Sequence, residues 1–398
     1  MRQPLRIVYA AGPGDVLTTY RFWSRGEEDP SQVSMTYSGQ FYDVCRNLGA
    51  RAYVISRFRT KGRLRDGPFW IENRPTPFQD SRSAGLYHLG QIWSSLRLVL
   101  SVLRFRAQVL VVVCGTGHWF PLRILRLFGV RIIPSMHCVL WPMRRPLSGL
   151  PRLIWKLNRS LFTDSASAIL LASKDIGRQI DQVSGRKVDR QYEFLPSYRE
   201  EQFSGMPDPS PAREPFRVLY VGRIERDKGV FDLLEVAKRM RGEGREDFEF
   251  DLCGTGSVLE ELKGAARASG LDATFRCHGH CQRQVMREMF AKSHVVVVPT
   301  TTEFIEGFNQ VVAEGVLAGR PVVTSSVCPA LEYVREAVVE VAPDDVRGYG
   351  DALLRLKDDA AFFDAKVAAS RTARGQFYDL SRSWATTLET AFADAGIA

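Results

Sequence analysis

Short runs of aliphatic and β-branched residues recur along the chain, separated by stretches with helical periodicity. In the first half they are RIVYA (6–10), AYVIS (52–56), QVLVVV (108–113), RIIPS (131–135) and AILLAS (168–173). Runs this short and this uniformly apolar predict strands buried on both faces. Spacers of helical length between them predict right-handed crossovers and a parallel sheet. The stretch GMPDPSPAREP (205–215), with four prolines in eleven residues, interrupts the alternation and reads as a linker. The alternation then resumes with FRVLYVG (216–222), FEFDLCG (248–254), HVVVVPT (294–300) and PVVTS (321–325). At the end of the chain Trp384, Leu388 and Phe392 follow one another at helical spacing, which predicts an amphipathic helix. The expected division is a Rossmann-like domain over 1–204, a second over 205–376, and a C-terminal helix within 377–398 packing back onto the first. Two doubly wound domains face a cleft between the carboxyl ends of their strands, where such sheets bind ligands.

Composition narrows the class. Of 398 residues, 45% are hydrophobic and 25% charged, the mixture of a globular protein. No uncharged apolar run reaches the ~20 residues that span a bilayer. The start, MRQPLRIVYAAGPGDV, is broken by Arg6, Gly12 and Gly14, so it reads as a strand and turn and no secretory leader is expected. The seven cysteines (Cys45, Cys114, Cys138, Cys253, Cys277, Cys281 and Cys328) are odd in number and mostly lie in apolar runs, which suits reduced thiols in a cytoplasm.

Charge is divided unevenly. Residues 1–200 carry 30 Lys and Arg against 14 Asp and Glu, whereas the remainder carries 24 against 31. In IWSSLRLVLSVLRFR (92–106), Ile92, Leu96, Val99 and Leu103 recur at roughly helical spacing beside Arg97 and Arg104. FPLRILRLFGVR (120–131) repeats the pattern with Arg123, Arg126 and Arg131. Such segments suit a basic amphipathic surface at the anionic inner face of a membrane, or core helices whose arginines point to water.

Two elements carry chemistry. After FRVLYVG comes RIERDKG, with Arg223 just past the strand and Lys228 before Gly229 and a helix. Cations and a helix start at the carboxyl edge of a sheet suit phosphate oxygens. The second element is EGFNQVVAEGVLAGRPVVTS, where Glu306 and Gly307 precede a helix that carries Glu314. Gly307 admits a ligand close to the backbone, with the N–H groups of Phe308 and Asn309 nearby. Carboxylates beside an anion site suit hydroxyls, and sugar hydroxyls are the natural partner.

In this order and spacing the motifs resemble the retaining glycosyltransferases of family four, which have the GT-B fold. The resemblance rests on GRIERDKG, DLCGTGS, the HGH turn and above all the paired glutamates, with seven residues between Glu306 and Glu314. It implies that Arg223 and Lys228 hold the donor diphosphate, that Glu306 contacts the donor sugar, and that Glu314 contacts the ribose. It implies sugar-hydroxyl contacts from Gly307, Phe308 and Asn309, and a nucleoside wall from Gly254, Gly256, Gly279 and His280. Toward the start of the chain, Gly12 and Gly14 stand where the family has a glycine loop under the phosphates. His137, in SMHCVLWP, stands where members present a histidine to the donor sugar. The segment FLPSYR (194–199) departs from the Pro-Asn-Gly turn of many members.

Expected partners are therefore a nucleotide sugar and a saccharide acceptor, the latter carried on a lipid diphosphate in surface polysaccharide assembly. Nucleic acid is not expected as a partner. No cofactor or metal is expected: no persuasive Asp-x-Asp motif is present, and the resemblance implies that Arg and Lys take the place of a divalent ion. The cluster Cys277-His278-Gly279-His280-Cys281 holds four potential zinc ligands, but neighbours so close in sequence rarely converge on one tetrahedral ion. A phosphorylase or nucleotide-sugar epimerase shares the two-domain layout and is the alternative enzyme class. A non-catalytic nucleic-acid binder explains only the basic half.

Overall fold

The computed structural model describes residues 3–113, 117–303 and 305–397; Cys114 lies outside them. The first sheet contains β1 (Arg6–Ala10), β2 (Arg51–Ser56), β3 (Gly62–Asp66), β4 (Phe69–Asn73), β5 (Val109–Val113), β6 (Arg131–Met136), β7 (Ile169–Leu171) and β8 (Gln191–Glu193). Their order is β3-β4-β2-β1-β5-β6-β7-β8. The second contains β9 (Phe216–Val221), β10 (Phe248–Cys253), β11 (Phe275–Gly279), β12 (Val295–Val298), β13 (Val322–Ser325) and β14 (Val338–Val341), in the order β11-β10-β9-β12-β13-β14. The chain winds outward from β1 in one direction and then returns to start again at β5. It does the same at β9 and β12. Each reversal opens a crevice at the carboxyl ends of its strands, and these crevices are where ligands bind in doubly wound sheets.

The central strands are the uniformly apolar runs of the sequence. Val109, Leu110 and Val111 are wholly buried, as are Val295, Val296 and Val297. The first sheet, however, is not purely parallel. Strands β3 and β4 form an antiparallel pair at its edge, pairing Arg63 with Glu72 and Arg65 with Trp70. Their charges suit an edge strand, where one face meets water and free pairing must be discouraged. The helix Ala84–Phe105 also differs from its expected pattern. Ile92, Leu96, Val99 and Leu103 do not form one face, because Val99 is buried in the core while Leu96 is exposed.

The helix Trp384–Asp394 lies against the first domain, with Trp384, Leu388, Ala391 and Phe392 inside its core. Trp384 Nε1 donates to Ser135 Oγ at 2.8 Å, so this helix reaches the end of β6. Trp384→Ala is expected to cost about 3–5 kcal/mol of stability, the usual penalty for an emptied indole site. Urea unfolding followed by far-UV dichroism measures this, and an unchanged midpoint would show that the helix is dispensable to the first domain.

Candidate active site in the interdomain cleft

Three strand ends of the second domain are bound to one another through their loops. Gly222 N–H donates to the Cys253 carbonyl (3.0 Å), Gly254 N–H to Gly279 (2.7 Å) and Ile224 N–H to Thr255 (3.0 Å). A Cβ on Gly254 would stand 1.7 Å from the Gly222 carbonyl oxygen, so the loops close only with glycine there. Gly256 serves the same loop packing. Its added Cβ would lie 2.1 Å from the Ile224 carbonyl oxygen, and it stays out of the cleft wall.

Beyond these loops lies a cleft of about 610 Å³ between the two domains. Its walls include Arg223, Lys228, Glu306 and Glu314, the cations and carboxylates singled out in the second domain. His137, Gly254, His280, Gly307, Phe308 and Asn309 line it as well. Lys228 ends the short turn Arg226–Lys228, and its ammonium group is ion-paired with Glu306 Oε1. Only 11% of the lysine side chain is exposed.

Glu306 and Gly307 reach across to the first domain. Glu306 pairs with Cys138 in an isolated antiparallel bridge, and Gly307 N–H donates to the His137 carbonyl at 3.1 Å. The helix Gln310–Leu317 starts immediately afterwards. Its N-cap, Asn309, has a φ of 70° and makes no side-chain cap bond, a strained conformation for a residue with a Cβ. With no side-chain cap, the helix start adds its positive dipole end to the wall formed by Phe308, Asn309, Gln310 and Val311. Glu314 lies one turn further, 6% exposed. Burial pushes its carboxyl up to about 7, against a weaker opposing pull from the Tyr198 hydroxyl, which donates to Oε1 at 3.5 Å.

His137 is held between the rings of Tyr37 and Phe194, with centroids 4.3 and 5.1 Å away. Desolvation lowers its pKa to about 3, so the imidazole is neutral at ordinary pH. Its Nε2 lies 2.8 Å from Ser135 Oγ, the atom that accepts the Trp384 indole proton. The same serine oxygen thus ties the imidazole to the C-terminal helix, which fixes the orientation of the ring.

Gly12 and Gly14 do not reach the cleft wall. The helix that follows them, Val16–Ser24, is capped by Asp15, whose carboxylate accepts from the N–H groups of Leu17 and Thr18 and from Asn73. Burial alone would raise the Asp15 pKa, but these bonds hold it below the usual carboxylate value. A helix start already occupied by an anion is a poor cradle for phosphate, so the glycine pair serves a turn here. The cysteine–histidine cluster is dispersed as well. Cys277 packs toward the second core, His278 Nε2 sits 2.7 Å from Asp251, and His280 faces the cleft. The HGH segment is also not simply a turn, since strand β11 runs through Gly279.

Several cleft residues carry no recognisable pattern. The loop Pro30–Val33 and Tyr37 join His137 in the wall on the first domain. Ser34 Oγ donates to Gln310 Oε1 at 3.2 Å, and Arg283 donates to the carbonyls of Asp29 and Gln32. Tyr198 is buried in FLPSYR, the departing segment, and its hydroxyl reaches both Gln310 and Glu314.

Two Rossmann-like sheets facing across such a cleft define a GT-B protein. Within that class, residues 215–359 match the family model described as glycosyl transferases group 1. The resemblance to glycosyltransferases of this fold therefore holds in the second domain. Among curated relatives, the glycogen synthase of Mycobacterium tuberculosis is 29% identical over 163 residues, 40% of this chain and 38% of that protein. The α-D-kanosaminyltransferase of Streptomyces kanamyceticus is 25% identical over 263 residues, 62% of this chain and 66% of that protein. The chain thus spans well under half the length of the first of these relatives. Among solved structures, HepE of Anabaena in complex with UDP-glucose superposes with a TM-score of 0.67 at 14% identity, covering 98% of this chain and all of that one.

Proposed function

We propose that the chain is a retaining glycosyltransferase that moves a sugar from a nucleotide diphosphate to a saccharide acceptor. The observation that carries this reading is the convergence of Arg223, Lys228, Glu306 and Glu314 on one cleft beside an uncapped helix start. The barrier in such a transfer is cleavage of the anomeric C–O bond through an oxocarbenium-like state. Arg223, Lys228 and the helix dipole would stabilise the departing diphosphate, in the role a divalent ion plays elsewhere. Glu306 would orient the sugar hydroxyls, and neutral His137 would stand near the anomeric carbon. Same-face attack by the acceptor would keep the anomeric configuration, with the leaving phosphate assisting deprotonation. The acceptor we favour is a lipid-diphosphate-linked saccharide of surface polysaccharide assembly, met on the cytoplasmic side. A thermal-shift panel of UDP-, GDP- and ADP-sugars identifies the donor through the stabilisation that binding confers. Transfer from that donor to a saccharide, with the anomeric configuration retained and the rate unchanged by EDTA, is the expected result. Donor breakdown without any glycosylated product would favour the phosphorylase or epimerase class instead.

Glu314 supplies a pH test. An ionised carboxylate accepts both ribose hydroxyl protons, whereas the neutral acid accepts less well. With its carboxyl raised to about 7, Glu314 must lose a proton before or during binding below that pH. Affinity for the nucleotide sugar should therefore rise as pH increases toward about 7 and level off above it, by at most about tenfold per pH unit. The phosphates of a nucleotide sugar do not titrate in this window, so calorimetry reports the protein group. Glu314→Gln should bind weakly with a flat profile; a flat profile in the unaltered protein would remove Glu314 from the ribose site.

A further inference from the structure

The helix Ala84–Phe105 buries Gly90, Gln91, Ser95, Val99, Val102 and Phe105 on one side. On the other side Leu86, Leu89, Trp93, Leu96 and Leu100 are all exposed, between 42% and 57%. Their spacing of three and four residues makes one continuous stripe, roughly opposite the buried face at 100° per residue. An ordinary surface helix places polar residues there.

Two neighbouring elements repeat the anomaly. The short helix Phe120–Phe128 packs against Ala84–Phe105 and exposes Ile124, Leu127 and Phe128, with Leu127 at 83%. The helix Gly149–Ser160 packs against Phe120–Phe128 in turn and exposes Leu150, Leu153 and Leu157. Three adjoining elements thus present large apolar side chains to solvent, and no described residue covers them. A patch of this kind marks an interaction surface.

Charge selects the occupant. From Ser81 to Thr163 the chain has twelve Lys and Arg and no Asp or Glu. Arg97 and Arg104 flank the stripe of the longest helix, Arg123 and Arg126 alternate with the exposed side chains of the short one, and Arg152 and Lys156 do so on the third. A second copy of the chain would bring like charges together across this face. A nucleic acid would leave the aliphatic side chains without a partner. A bilayer with anionic headgroups satisfies both components: leucine, phenylalanine and tryptophan enter the acyl boundary while the cations remain at phosphate level.

We propose that this face of the first domain docks the protein on an anionic lipid bilayer. The helix Ala84–Phe105 connects β4 to β5, which run parallel in the sheet, so it runs antiparallel to them. Its first turn stands at the carboxyl edge of the sheet, the edge that faces the cleft. Docking would therefore set the cleft close to the lipid surface, whatever sugar the cleft handles.

The test is co-sedimentation of the full-length protein with vesicles of equimolar phosphatidylglycerol and phosphatidylcholine, against vesicles of phosphatidylcholine alone. The protein should partition onto the anionic vesicles and only weakly onto the neutral ones, and added salt should reduce but not abolish binding. Trp93→Glu combined with Leu127→Glu should lower anionic-vesicle binding about tenfold or more. Both side chains are exposed, so the variant should keep its melting temperature, which shows that it is folded. Full recovery of the unaltered protein in the supernatant with both vesicles overturns the proposal. So does vesicle binding by the variant equal to that of the unaltered chain. A dimer that the same substitutions dissociate, with no vesicle binding, assigns the face to a second copy and overturns it too.

Discussion

Lys228→Ala is expected to lower kcat/KM for transfer by about 10²–10³-fold, the loss typical of removing one electrostatic stabiliser of a developing charge. Three features of the site lead there. The lysine side chain is largely shielded from water, so its charge acts at short range with little solvent screening. Gly229, directly after it, has a φ of 69°, and a Cβ there would stand 2.0 Å from the Pro299 carbonyl oxygen. That tight turn fixes where Lys228 leaves the backbone, so the ammonium is preorganised. Its partner is Glu306, the carboxylate assigned to the sugar hydroxyls. Lys228→Arg should recover only part of the rate, because a planar guanidinium does not reproduce the position of a compact ammonium. Initial-rate measurements decide it, with calorimetry of the nucleotide sugar alongside to separate binding from transfer. A wild-type rate in Lys228→Ala would remove the lysine from the chemistry.

The Lys228–Glu306 pair also suggests how the unliganded cleft keeps its shape. Two opposite charges so close would each be costly to leave alone in a partly dry cleft, and each serves as the other's partner until substrate arrives. On the proposed function, a donor diphosphate would offer the lysine a stronger partner, and the sugar would offer hydroxyls to the carboxylate thus released. One binding event would then convert an internal ion pair into two contacts on either side of the bond to be broken.

The second domain was nearly legible in the sequence because its strands are uninterrupted apolar runs and its chemistry follows strand ends directly. VLYV, VVVV and VVTS needed no tertiary information to be read as buried parallel strands. Strands β3, β4, β8, β11 and β14 escape that reading because charged or polar residues such as Arg63, Glu72, Glu193, Arg276 and Glu340 interrupt them, which blurs the apolar signal. The contribution of the first domain was harder for another reason. Tyr37 and the loop Pro30–Val33 reach the cleft from parts of the chain distant from its other walls, and no local pattern distinguishes a tyrosine in a cleft from one in a core. Gly12 and Gly14 are a case where the local pattern admits two readings. The glycines suggested a phosphate loop, yet Asp15 directly after them is a strong N-cap residue, and a capped helix start has spent its free N–H groups. Tyr20, three residues into the same helix's core face, completes a turn built for packing.

Gly307→Ala is expected to retain nucleotide-sugar binding within about threefold while reducing transfer about 10²-fold. The glycine does not have a positive φ, so alanine suits its backbone. The obstacle is its neighbours: an added Cβ would stand 2.6 Å from the His137 carbonyl oxygen, 2.7 Å from its carbon and 2.9 Å from Ile176 Cδ1. All three atoms belong to the first domain, whereas Gly307 belongs to the second. The clash therefore lies across the cleft, and parting the domains relieves it at lower cost than distorting either core. Parting breaks the Gly307–His137 hydrogen bond and the Cys138–Glu306 bridge. Most of the nucleotide's proposed contacts come from the second domain, so they survive. On the proposed function the acceptor side and His137 would move away from the anomeric carbon, and a displacement of about 1 Å is enough to cost two orders of magnitude. Small-angle scattering should show a larger radius of gyration in the variant with donor bound. Transfer at the unaltered rate, or a scattering profile identical to that of the unaltered protein, would mean that closure across Gly307 plays no part in catalysis.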